Sequence, residues 1–228
     1  MKKLPFDVPF VEASDYFAGK LPLTVEEVAA IGDWSKALGF TVATVTKGLV
    51  LQGILDATQS AIDDGLTFAD FQDSLRDIMD VQGWAGLTPW HAETVLRTNT
   101  QSAYGRGRWN QQLAQRDDFP FLQYITGSRA RRTHAALNLL VYAISDAFWK
   151  KHYPPWEFNC NCAAESLTTE EAQALGIEPT NVLDDGSESG FTSPANSDYV
   201  PDLSGMDPVL RSKIEQMLAN FNPANVED

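Results

Sequence analysis

Cys160 and Cys162, the two cysteines of the chain, stand one residue apart at the end of the segment Phe148-Trp149-Lys150-Lys151-His152-Tyr153-Pro154-Pro155-Trp156-Glu157-Phe158-Asn159-Cys160-Asn161-Cys162. The prolines fix their own φ and offer no backbone donor, so Pro154-Pro155 makes a rigid turn just ahead of the cysteines. The segment holds two soft sulfur groups close together, with five aromatic residues just ahead of them and His134 a short way upstream. Cys160, Cys162 and His134 form a candidate metal site, with His152 as a possible fourth ligand. Zinc favours thiolate and imidazole in a closed tetrahedron, where it serves as a structural clamp. Two other readings stay open: cysteines buried as small apolar side chains, and a strained disulfide across one intervening residue. His91 lies far upstream on an expected helix and reads as a surface or packing residue.

The rest of the composition is that of a globular protein. It is 43% hydrophobic and 11% aromatic over 228 residues, enough for a sizeable core. No apolar run approaches the about 20 residues that span a bilayer. Lys2-Lys3 is not followed by the apolar stretch of a signal peptide, so synthesis in the cytoplasm and no membrane association are expected. Two cysteines do not make a disulfide scaffold. The net charge of -14 is uneven. Residues 97–164 carry nine Lys/Arg against four Asp/Glu, a net of +5, while residues 165–228 carry two against thirteen, a net of -11. Arg129, Arg131 and Arg132 sit directly before His134, where they can pair with nearby acids or grip an anionic partner. A basic segment over 97–151 offers a possible contact for DNA, although a free-standing DNA-binding protein would show a larger basic excess.

Along the chain, residues 1–20 read as an irregular lead-in, broken by Pro5, Pro9 and Gly19. Thr24-Val25-Glu26-Glu27 fits a capping box opening a helix to about Leu38. Helical spacing is expected from about Val42 to Ile62, and a third helix from Thr67 with Phe71, Leu75 and Ile78 on its inner face. Pro89 opens a long helix to near Arg116. Residues 121–126 and about 162–167 read as strands, and Thr168-Thr169-Glu170-Glu171 as a second capping box for a helix ending at Gly176. Residues 177–205 read as an extended tether, followed by an amphipathic helix from Pro208 to about Phe221. The expected fold class is α+β: a helical N-terminal region (1–88), a small mixed domain with a short β-sheet and the Cys-x-Cys loop (89–176), and an acidic tether with a terminal helix (177–228).

The chemistry needed for an enzyme is thin. There are three histidines and no His-Glu-x-x-His cluster. Cys160 with His134 imitates a thiol nucleophile and its base, so the alternative to a structural role is a small metal- or thiol-dependent enzyme acting on nucleic acid or peptide.

A set of motifs in a fixed order carries a resemblance. Leu96-Arg97-Thr98-Asn99-Thr100-Gln101-Ser102-Ala103-Tyr104 is followed by Tyr124-Ile125-Thr126-Gly127 and Arg132-Thr133-His134-Ala135-Ala136-Leu137. Asp146-Ala147-Phe148-Trp149, Tyr153-Pro154-Pro155 and Asn159-Cys160-Asn161-Cys162 complete it. Over roughly residues 50–165 this resembles the phage Mu F-like head morphogenesis proteins, the minor capsid proteins of tailed phages and prophages. The resemblance implies a non-enzymatic protein that associates with portal protein and major capsid protein during head assembly. It also implies that such a protein moves from host cytoplasm into the virion and contacts packaged DNA. It places the family's His and Cys-x-Cys positions at His134, Cys160 and Cys162. Two departures stand out: Asn161 replaces the usual basic residue between the cysteines, and Trp156-Glu157 replaces the usual Asn-Gly.

Overall fold

The computed structural model describes residues 10–31, 39–178 and 208–220. Within them the chain forms two compact units: one of residues 14–31, 39–96 and 208–220, the other of residues 10–13 and 97–178.

In the first unit, Gly48–Asp64 forms α3 and Phe68–Gln82 forms α4. α3 buries one long stripe that includes Leu51, Ile54, Leu55 and Ile62. α4 lies against it where Gly53 faces Ile78 and buries Phe71 and Leu75. The turn between them is enforced at both ends. Gly65 takes φ 64°, a left-handed stop open to glycine without a Cβ penalty, and the Thr67 hydroxyl accepts from the Asp70 N–H while Asp70 reaches back to the Thr67 N–H. Val11–Ala18 (α1) begins the described chain, and Leu21–Pro22 (β1) pairs in parallel with Gly39–Phe40 (β2). Val25–Ile31 (α2) lies between those strands in sequence, and its capping box is present: Glu27 accepts the Thr24 N–H at 2.8 Å and the Thr24 hydroxyl accepts the Glu27 N–H at 3.2 Å.

Two expectations here need correction. Residues 11–18 are not irregular: Pro9 and Gly19 stand just outside a helix rather than inside a broken segment, and Ala13 and Phe17 are fully buried. The second helix begins at Gly48, not near Val42. β2 occupies 39–40, and Thr44 at φ 74° breaks any helical continuation, although Val42 and Val45 are buried as side chains. Residues 179–205 of the expected tether lie outside the described residues. Beyond them Pro208–Asn220 (α9) folds into the first unit: Leu210 and Ile214 are buried, and Lys213 Nζ lies 3.2 Å from Glu27.

The second unit is built on a three-stranded antiparallel sheet with Phe121–Ile125 (β3) at its centre, flanked by Val141–Ala143 (β4) and Ala163–Leu167 (β5). Pro89–Ala114 (α5) enters this unit along its C-terminal part. Leu122 and Tyr124 alternate with Gln123, as pleating requires, so the two apolar side chains share one face. That face carries an aromatic core including Trp109, Tyr142, Phe148, Trp149, Tyr153 and Trp156. Tyr142 stacks on Phe148 at 4.2 Å, and Trp149 Nε1 donates to the Ala143 carbonyl at 3.0 Å. The Gln112 amide joins helix, loop and sheet: it accepts from the Tyr153 hydroxyl at 2.6 Å and donates to the Ala164 carbonyl at 3.0 Å. On the opposite face Thr169–Leu175 (α8), capped by Thr168 and Glu171, packs Ala172 against Val141 and Leu167. Helices and small sheets together make an α+β chain, with the helical part first, as expected.

Candidate metal centre

Three separate elements deliver the site. β3 and β5 pair in the register Tyr124↔Ala164 and Ile125↔Ala163. Cys162 immediately precedes β5, so this pairing sets its sulfur beside the end of the central strand. The short helix Arg132–Ala135 (α6) brings in His134. The loop carrying Cys160 leaves Ala147–His152 (α7) through the cis Pro154-Pro155 bond and turns at Asn159, whose φ of 59° lies in the left-handed region that Asn tolerates. Gly127 completes the cradle: any Cβ there would collide with the backbone carbonyl and side-chain amide of Asn161, the residue between the cysteines.

His134 is 2% exposed and Cys160 5%, so the centre is a buried one. His134 Nδ1 lies 3.6 Å from Cys160 Sγ and 3.5 Å from Cys162 Sγ, and the three donor atoms all fall within 4.8 Å of one another. The imidazole stacks on Trp156 with ring centroids 4.0 Å apart and planes 13° from parallel. Its other nitrogen, Nε2, faces Glu157 Oε2 at 3.2 Å. Glu157 also pairs with Arg131, which donates a further hydrogen bond to the Phe158 carbonyl at 3.0 Å. With a carboxylate accepting the Nε2 proton, Nδ1 is left free to face the sulfurs, the arrangement that orients ligating histidines. The Tyr124 hydroxyl reaches to 3.4 Å from Nδ1 and accepts from Trp156 Nε1 at 2.9 Å.

The electrostatics favour one negative charge shared by the sulfurs. Cys160 donates to Cys162, which pushes the Cys160 thiol up; burial works in the same direction. The Cys162 thiol is held well below the usual range by that same hydrogen bond, against burial, with help from His134, Tyr124 and the Gly127 N–H. For His134 burial works against the charged form, yet Cys162 and Glu157 outweigh it and its pKa is raised. Burial is the main cause that raises the Tyr124 phenol. Two sulfurs and a neutral imidazole nitrogen at this spacing form a donor set able to hold a soft divalent cation.

The structure thus brings His134, Cys160 and Cys162 together, with both cysteines free rather than joined in a disulfide. His152 stands apart from the cluster. It closes the last turn of α7, where its Nδ1 lies 3.2 Å from the Phe148 carbonyl and its ring meets Trp156 edge-on at 5.0 Å. His91 lies in the first turn of α5. Glu157, Trp156 and Gly127 were not marked as site residues in the sequence. The signal available for the first two was their place inside the Cys-x-Cys segment.

Residues 52–165 match the family described as Phage Mu protein F like protein, half of the chain. The chain belongs to the Mu F-like family. The match ends three residues beyond Cys162 and takes in the whole site. Among relatives, the protein of Escherichia phage Mu named "Putative capsid assembly protein F" is 30% identical over 190 residues, 75% of this chain and 43% of its own length. The Mu-like prophage FluMu F protein of Haemophilus influenzae is 33% identical over 156 residues, 62% of this chain and 38% of its own. The chain therefore spans about two fifths of the length of these relatives. No solved structure matches it. No described helix is long and apolar enough to cross a membrane.

Proposed function

We propose that this chain is a structural, non-enzymatic component of phage head assembly. It associates with portal protein and major capsid protein in the host cytoplasm and enters the virion with them. The observation that carries this reading is the Mu F-like match over 52–165, which takes in β3, β4, the Cys-x-Cys loop and the start of β5, joined to relatives named for capsid assembly and for a Mu-like prophage. Exposed Arg129 and Arg132 on the basic segment give it a weak, salt-sensitive contact with packaged DNA. In this reading the His134–Cys160–Cys162 centre holds zinc as a clamp, fixing a loop that has little regular structure of its own.

The test is to purify particles and assembly intermediates from infected or induced cells and quantify the protein by mass spectrometry. Recovery with portal and coat protein is the expected result. Absence from every particle and intermediate, with the protein free in the lysate, overturns it.

A second reading draws on the 3.5 Å contact between Cys162 Sγ and His134 Nδ1, which fits a thiol nucleophile and its base. Cys162→Ser separates the two. A clamp residue costs zinc and folding stability, whereas a nucleophile costs turnover and leaves the fold intact.

A further inference from the structure

Three donor atoms leave one corner of a tetrahedron unassigned. Zinc bonds of about 2.0–2.1 Å to nitrogen and about 2.3 Å to sulfur set a nitrogen–sulfur edge of about 3.5–3.6 Å in a tetrahedral shell. The distances from His134 Nδ1 to the two sulfurs, 3.6 and 3.5 Å, are edges of that length. An oxygen ligand bound at about 2.0–2.2 Å belongs about 3.4 Å from the same nitrogen. The Tyr124 hydroxyl lies 3.4 Å from Nδ1, close enough to the cluster for Cys162 to act on its phenol. We propose that Tyr124 Oη is the fourth ligand, closing a shell of His134 Nδ1, Cys160 Sγ, Cys162 Sγ and Tyr124 Oη around zinc. This rests on the zinc reading given above.

Three further observations support the assignment. An O···N separation of 3.4 Å is too long for a good hydroxyl–imidazole hydrogen bond, whose usual range is about 2.7–3.0 Å, but it suits two ligands of one ion. Trp156 Nε1 can only donate, so its 2.9 Å bond uses Oη as an acceptor and steadies it as an anion would need. Tyr124 is fully buried on the central strand of the sheet, paired on both sides, so its oxygen is held by the most rigid part of the unit. On binding, the protons carried by the sulfurs and the phenol leave to solvent, and the ion takes their place. A shell with four protein ligands has no open position for a reacting water, which makes the centre a clamp and not a hydrolytic site.

The experiment adds zinc ion alone to the metal-free full-length chain and reads three quantities: zinc per chain, affinity by competition with a chromogenic chelator, and the near-ultraviolet difference band of tyrosinate. Wild type is expected to bind one zinc and to develop the tyrosinate band. Tyr124→Phe, which keeps the ring in its core site, is expected to lose the band and to bind zinc at least about 10-fold more weakly, the lower end of the loss seen even for outer partners of a metal site. Zinc uptake by wild type with no tyrosinate band, or with unchanged affinity in Tyr124→Phe, overturns the fourth-ligand assignment and leaves the zinc reading standing. No zinc uptake by wild type removes both. Should Tyr124→Phe fail to fold, the wild-type band decides by itself, because the assignment requires it.

Discussion

Glu157 ties the Cys-x-Cys loop to the short helix α6 and its N-cap, Arg131. Its Oε2 takes the Nε2 side of His134 and the Arg131 guanidinium, so the imidazole is turned with Nδ1 toward the sulfurs. Outer partners of this kind are worth roughly 10–100-fold in metal affinity. Glu157→Gln, which keeps the shape and removes the charge, should weaken zinc binding by about that factor while leaving the far-ultraviolet CD spectrum unchanged; unaltered affinity in chelator competition counts against the role. Gly127→Ala tests the cradle from the other side. Its Cβ must displace Asn161 backbone, and overpacking of that sort costs about 1–3 kcal/mol, readable as a lower urea midpoint with no change in slope. At this scale the cluster of His134, Cys160 and Cys162 was legible, because cysteine and histidine are rare and costly wherever they occur. Glu157 and Tyr124 were not, being ordinary residue types until strand pairing and the α6 turn bring them to the sulfurs. His152 was a misleading neighbour: it lies near Cys160 in sequence, but the turn of α7 commits its Nδ1 to the Phe148 carbonyl. The Trp156-Glu157 pair, which departs from the expected Asn-Gly, supplies the stacking ring and the carboxylate that hold His134.

Helix ends are where the elements could be read best, because capping is local chemistry. Thr24–Glu27, Thr67–Asp70 and Thr168–Glu171 each form the reciprocal pair that their spacing announces. Thr168→Ala should cost about 1 kcal/mol, the ordinary worth of an N-cap hydroxyl, measured by urea unfolding. The carboxylate of the same box supplies a pH dependence. Bonds from the Thr168 N–H and hydroxyl hold Glu171 below its ordinary value of 4.5, against a weak opposing effect of burial. A depressed folded-state pKa means that the stabilisation is complete above 4.5 and fades as pH falls through the lower folded value. Glu171→Gln should therefore lower stability at neutral pH, and the gap from wild type should close as pH drops below 4.5. A gap that persists in acid would refute the assignment. What periodicity missed were short elements whose signal is tertiary. β4 has three residues and exists because β3 needs a second partner, and α1 was hidden by its own flanking Pro9 and Gly19.

For the whole chain, charge and packing pull the C-terminal segment in different directions. Residues 165–228 carry a net of -11, a long run of acid with the sign of DNA. Such a segment would repel duplex DNA and keep the basic stretch 97–151 off it at low salt. Deleting the segment is a poor test, because α9 lies inside it and Ile214 is fully buried in the first unit; losing a core side chain of that size costs about 2–5 kcal/mol even as a truncation to alanine. Ile214→Ala should itself show that loss as a drop in urea midpoint. Electrostatic shielding is isolated instead by changing Asp184, Asp185, Glu188, Asp198 and Asp202 to their amides, which leaves α9 in place and takes the segment from -11 to -6. If the acid shields the basic stretch, this variant should bind duplex DNA more tightly than wild type at low salt, and the advantage should vanish as salt screens charges more than about 10 Å apart. Equal affinities at low salt, in two proteins with the same unfolding midpoint, would mean that the acidic segment serves its own solvation and has no part in holding DNA away.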